Sequence, residues 1–237
     1  MNTRNTLHQN TQQRAAVISG IALLLMTLAA ILAQGYIHSS LIVEGDTATT
    51  FKNIQASQSL FSLEILGWLI IIITDLVVSW GFYMFLKPFH PGYSLLAGWL
   101  RLLYTAILSM AVSYLVIANG TVHNLEMDLT ADTMAQQTLG SITAFESIWS
   151  FGLIIFGLHL VAVGFVAMST KKIPKLISLL VVVAGFSYSL IHVMYGFIPQ
   201  FDRFTGQLEF MLMAPMVIGE LGFGVWLLVK GRNLTMD

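Results

Sequence analysis

The amino-acid sequence predicts an all-α fold, a polytopic membrane bundle of six transmembrane helices with both termini on the cytoplasmic side. Three observations carry that prediction. The 237 residues are 56% hydrophobic and only 10% charged, with a mean hydropathy of +0.78, whereas soluble domains carry roughly 25% charged residues. Such a chain has too few charges to cover a water-facing surface. Six apolar stretches approach or exceed the roughly 20 residues that span a hydrocarbon core. Lys and Arg, finally, fall almost entirely on one side of those stretches.

The first stretch, 15–36, is too long for the apolar core of a cleavable signal peptide, and no A-x-A site follows it. The second, 61–86, stops before Lys87-Pro88, and the third, 95–118, ends at Asn119-Gly120. The fourth covers 146–168 and is followed by the basic turn Lys171-Lys172-Ile173-Pro174-Lys175. The fifth, 176–198, stops at Pro199, and the sixth, 208–229, precedes Lys230-Gly231-Arg232. Together they make a single membrane domain over 1–237, with no polar tract long enough for a separate soluble domain.

With the N-terminus inside, the cytoplasmic side holds Arg4, Arg14, Lys87, Arg101, Lys171, Lys172, Lys175, Lys230 and Arg232. The outer side holds Lys52 and Arg203, beside the acidic Glu44, Asp46, Glu126, Asp128, Asp132 and Asp202. An odd helix count would break this alternation. In the first outer loop, Asp46-Thr47 followed by Phe51, Ile54, Leu60 and Phe61 reads as a capped, short amphipathic helix at the interface. The 119–143 loop reads as polar and partly helical; the two longer outer loops are either connectors that seal the outer face or a substrate lid.

Net charge is −1, so nothing points to nucleic acid, and the absence of cysteine excludes disulfides, thiolate metal sites and a cysteine nucleophile. Ionisable groups within the membrane cost several kcal/mol and face a partner or a cavity. Here they are Asp75, Arg101, His159, His192 and Glu220, one on each of five stretches. At about 1.5 Å per residue, Asp75 lies about 16 Å, and His159 and Glu220 about 14 Å, from their cytoplasmic ends. Tyr104 and Tyr188 reach a similar depth, so five helices offer polar groups near the midplane. Arg101 is shallower, about 9 Å in. Because helical side chains lean toward the N-terminus, Arg101 is expected to lean to the cytosol and Asp75 away from it, which disfavours a direct bridge. Arg101 then either snorkels to the headgroups or closes a polar cavity and attracts an anion.

Pro215 is expected to kink the sixth helix one turn before Glu220, and Gly219, Gly222 and Gly224 either allow close helix contact or leave room beside that carboxylate. His192 reads as a satisfied histidine near the outer end. Two carboxylates and a histidine on three helices are no metal motif, and the depth mismatch of roughly 10 Å between His159 and His192 argues against haem. No hydrolase, nucleotide or zinc fingerprint appears, so no catalytic or metal residue is assigned and no cofactor is named.

The segment from Ser39-Ser40-Leu41-Ile42-Val43-Glu44-Gly45-Asp46 through Asn53-Ile54 to Ser59-Leu60-Phe61 resembles the first outer loop of a bacterial membrane family, the "domain of unknown function 4386". The likeness continues through Asp75, Pro88 and Ala97-Gly98-Trp99-Leu100-Arg101-Leu102. It resumes at Phe156-Gly157-Leu158-His159-Leu160, Ile173-Pro174-Lys175 and Gly185-Phe186-Ser187-Tyr188, and closes with Gly219-Glu220-Leu221, Trp226-Leu227-Leu228 and Lys230-Gly231. It covers nearly the whole chain outside 119–143. The resemblance implies a multi-pass protein of the bacterial inner (plasma) membrane and brings no activity with it.

The expected partners are the lipid bilayer and a small amphipathic ligand or lipid. The residues expected to bind ligand or proton are Asp75, Arg101, His159, Glu220, Tyr104 and Tyr188. An accessory or scaffolding subunit, whose buried polar groups only fix packing, and an intramembrane lipid-modifying enzyme are the alternative readings.

Overall fold

A computed structural model describes residues 3–123 and 130–234 of the chain; Glu126 and Asp128, two of the acidic residues assigned to the outer side, lie outside the described residues. Among these residues there is no strand, and six helices are long and apolar enough to cross a membrane.

Helix α1 covers Thr3–Ala30, then continues through wider π turns over Ile31–His38 and a closing turn, Ser39–Leu41. After a left-handed turn at Gly45, with φ of 76°, comes the short α2, Thr47–Ala56. Its cap is the one the sequence suggests: Asp46 accepts from the Thr49 backbone N–H at 2.9 Å and from the Thr49 hydroxyl at 2.8 Å. These bonds, the backbone one first, hold the exposed Asp46 carboxyl below its ordinary range. α2 buries Thr50, Phe51 and Ile54, the apolar stripe of an amphipathic helix.

The remaining helices are α3 (Gln58–Leu86), α4 (Pro91–His123), α5 (Ala131–Met168), α6 (Lys175–Phe197) and α7 (Asp202–Val229). Short 3₁₀ turns, Pro199–Phe201 and Gly231–Asn233, precede and follow α7. α5 runs well beyond the apolar stretch that marks it. The Thr130 hydroxyl accepts from the Thr133 N–H at 3.3 Å, starting α5 fifteen residues before Glu146. The added turns bury Met134, Ala135, Thr138, Ile142 and Phe145, a helical spacing. Their other faces are polar, which hides them from a count of apolar residues.

The chain forms two compact units. One comprises Met1–Leu25, Thr74–Thr105 and Ser150–Asp237; the other comprises Met26–Ile73 and Ala106–Trp149. In the first, backbones approach closely where small residues meet. A Cβ built on Gly185 of α6 would lie 2.6 Å from the Gly157 carbonyl oxygen of α5, and one on Gly219 of α7 would lie 2.6 Å from the Leu180 oxygen of α6. Close packing of this kind replaces the hydrophobic drive that lipid does not supply between helices. Side chains also hold backbone across helices: Gln12 donates to the Phe85 carbonyl at 2.8 Å and Ser79 to that of Gly98 at 2.9 Å. In the second unit the analogous close contact is Gly67 of α3 against Ala33, whose Cβ would lie 2.9 Å from an added methyl.

Candidate functional site

Four of the polar residues within the spans meet in the first unit, each from a different helix. Arg101 of α4 is fully buried, and its guanidinium is the hub. Its Nε donates to Asp75 Oδ1 at 2.8 Å and its Nη2 lies 2.6 Å from the same oxygen. Nη1 and Nη2 both donate to Glu220 Oε1 at 3.2 Å. Nη1 also lies 3.2 Å from His159 Nε2. Arginine has no acceptor, so His159 Nε2 must accept, the ring is neutral, and Nδ1 carries the proton it donates to the Ala97 carbonyl at 2.8 Å. Both imidazole nitrogens are thereby engaged.

This arrangement corrects the expectation for Arg101. It neither snorkels nor leans away from Asp75. An unpaired charge in hydrocarbon costs several kcal/mol, whereas a side chain turned from its preferred rotamer costs about 1 kcal/mol. Pairing therefore wins over the intrinsic lean of the two helices.

Aromatic rings close the cluster. The Arg101 guanidinium carbon sits 5.3 Å from the Phe156 ring and 5.7 Å from the Phe82 ring, within cation–π range. Phe82 stacks on His159 at 6.0 Å and meets the edge of Phe223 at 5.2 Å. Helical spacing supplies these walls: Phe82 is two turns from Asp75, Phe156 one turn from His159 and Phe223 one turn from Glu220. Tyr104 and Tyr188 touch the same wall, packing on Phe156 at 4.9 and 5.2 Å. His192 is apart from the hub, 2.9 Å from the Ser150 hydroxyl and stacked on Tyr188.

The two carboxylates are not equivalent. Asp75 is held by the shorter contacts and its side chain is 1% exposed, while Glu220 is held at 3.2 Å and is 13% exposed. Asp75 Oδ2 is buried without a hydrogen-bond partner. With both acids ionised the hub carries one positive and two negative charges. It therefore has room for one proton before it becomes neutral. A cavity of about 390 Å³ in this unit lies elsewhere, lined by Asn10, Gln13, Arg14, Val17, Ile18 and Arg232.

A second polar cluster, in the other unit, was not anticipated from the sequence. His38 of α1 lies between Glu64 of α3, 2.7 Å from Nδ1, and Glu146 of α5, 3.1 Å from Nε2. All three fall within three residues of the ends of their apolar stretches, where a polar residue passes for a boundary. Their position at the end of the first stretch and the starts of the second and fourth was the available signal.

The model of the family described as "Domain of unknown function (DUF4386)" matches residues 18–231, so the chain belongs to that family. It is 30% identical over 172 residues to an uncharacterized protein of Archaeoglobus fulgidus, across 73% of this chain and 86% of the relative. No solved structure matches.

Proposed function

We propose that this member of the DUF4386 family binds or moves a small amphipathic molecule at the Arg101 hub of its membrane bundle, with Glu220 exchanging a proton in the process. The observation that carries this reading is the unequal pair of carboxylates on one buried guanidinium. Asp75 is the fixed counter-ion. Glu220, held by the longer contacts, more exposed than Asp75 and on a helix with Pro215 one turn away, is the replaceable one.

A ligand carboxylate or phosphate takes the place of Glu220 on Arg101, and Glu220 accepts a proton. The buried charge is −1 before the exchange and −1 after it, so no uncompensated charge enters the low-dielectric interior. The ligand's apolar part packs among the aromatic residues. In this reading the protein lies in the inner (plasma) membrane with both termini in the cytoplasm, as the Lys and Arg distribution suggests.

Native mass spectrometry of the gently solubilised protein tests it. A stoichiometric adduct is expected, released as the pH rises in the wild type. Arg101→Gln should lose the adduct, and Glu220→Gln, which holds the neutral form permanently, should keep it at every pH. An adduct-free mass at all pH values, or the same pH dependence in Glu220→Gln, overturns the proposal. The competing reading, a scaffold whose polar hub only fixes packing, draws on the complete engagement of His159 and the aromatic packing around Arg101. It expects these substitutions to alter stability and nothing else.

A further inference from the structure

The His38 cluster has a proton inventory that its geometry dictates. Both ring nitrogens face a carboxylate oxygen, Nδ1 at 2.7 Å from Glu64 and Nε2 at 3.1 Å from Glu146. A carboxylate only accepts, and a neutral imidazole carries one N–H. The two contacts therefore need two protons, one more than neutral histidine supplies. The additional proton resides either on His38, as imidazolium, or on one of the two glutamates, as a carboxylic acid.

The cluster is graded in access. Glu146 is 48% exposed, His38 6% and Glu64 0% at the side chain. Glu64 Oε2 is buried with no hydrogen-bond partner, as is Trp68 Nε1 one turn along the same helix. Phe145 covers the imidazole at 5.9 Å between centroids and packs in turn on Trp68 at 5.1 Å and Trp149 at 5.8 Å. The wide turns of Ile31–His38 bury the adjacent Ile37 and His38 together, and π turns of this kind recur at functional sites. A shared metal ion is excluded by geometry: the carboxylates sit on opposite edges of the ring, so no single ion touches a ring nitrogen and both acids.

We infer that His38, Glu64 and Glu146 form a proton-loading site, separate from the Arg101 hub, into which a proton enters at Glu146 and passes through the imidazole to Glu64. Protonated Glu146 gives its proton to Nε2, and Nδ1 releases its own to Glu64. One proton has then moved inward, leaving Glu146 ionised, Glu64 neutral and the ring in its other tautomer. No redox partner is required. Among the described residues, the charged groups facing His38 are Glu64 from α3 and Glu146 from α5.

Proton uptake by the purified protein in lipid nanodiscs tests this, measured with an indicator dye between about pH 5 and about pH 9, where an isolated glutamate does not titrate. Replacing a facing glutamate by glutamine removes one negative charge and one carboxylate acceptor from beside the ring. Glu146→Gln is therefore expected to lower the midpoint of the uptake assigned to His38, by its loss in His38→Gln, by about one pH unit. It is also expected to slow uptake after a pH jump. Glu64→Gln should lower the midpoint further. Glu146 is half exposed, so its variant folds even if the buried Glu64→Gln does not. An unchanged midpoint in Glu146→Gln overturns the site, and a lowered midpoint with unchanged uptake rate overturns Glu146 as the entrance.

Discussion

At the scale of single residues, Arg101 is the group with no substitute. Five N–H donors in a planar fork let one side chain serve Asp75, Glu220 and His159 together. A lysine ammonium is a point charge that cannot reach all three with the same geometry. Arg101→Lys should therefore leave a buried carboxylate inadequately paired and lower stability by on the order of 3 kcal/mol. Thermal unfolding of the detergent-solubilised variant checks this, and a melting temperature equal to that of the wild type would refute it. The sequence marks all four hub residues as out of place in lipid, because the cost of burying charge is a property of the residue type. What it does not show is which of them touch. Lean directions describe the first bond of a side chain, whereas the contact is decided at the far end of a long, flexible one. The His38 cluster was less legible still, since a glutamate near the end of an apolar stretch looks solvated until α5 is known to begin at Ala131.

At the scale of helices, glycine separates contact from space. Gly185 and Gly157 bring α6 and α5 backbone to backbone, so that a methyl on Gly185 would stand 2.6 Å from one carbonyl oxygen and 2.7 Å from the Val161 nitrogen. Both neighbours are backbone, so the helices must part. Gly185→Ala is expected to cost about 2 kcal/mol, in the range of overpacked cores. Gly222 of α7 has nothing within 4 Å of its built Cβ. Gly222→Ala should stabilise the protein by up to about 1 kcal/mol through helix propensity alone. The two substitutions are chemically identical and should move the unfolding temperature in opposite directions. The sequence supplies the glycines but not this distinction, because which face of a helix a neighbour occupies is a tertiary fact. Helix length is the complementary case. α3, α4, α6 and α7 follow their apolar stretches to within about six residues, while the polar-faced first turns of α5 escape any criterion based on apolarity alone.

At the scale of the molecule, the distribution of Lys and Arg predicts an orientation. Of the eleven Lys and Arg residues, eight fall on one side of the six spans and two on the other, with Arg101 buried inside its span. Orientation follows positive charge close to the spans, so the Ser169–Pro174 connection, with Lys171 and Lys172, is expected to face the cytoplasm and α2 the opposite side. The absence of cysteine makes the test clean, because any thiol introduced is the only one present. Thr170→Cys lies in the basic connection and Gln55→Cys on the exposed face of α2. A membrane-impermeant maleimide added to intact cells should label Gln55→Cys at once and Thr170→Cys only after the membrane is opened. The reverse pattern would place both termini outside. It would also turn the exposed edge of Glu146 toward the cytoplasm, so the same two variants decide from which compartment the His38 cluster draws its proton.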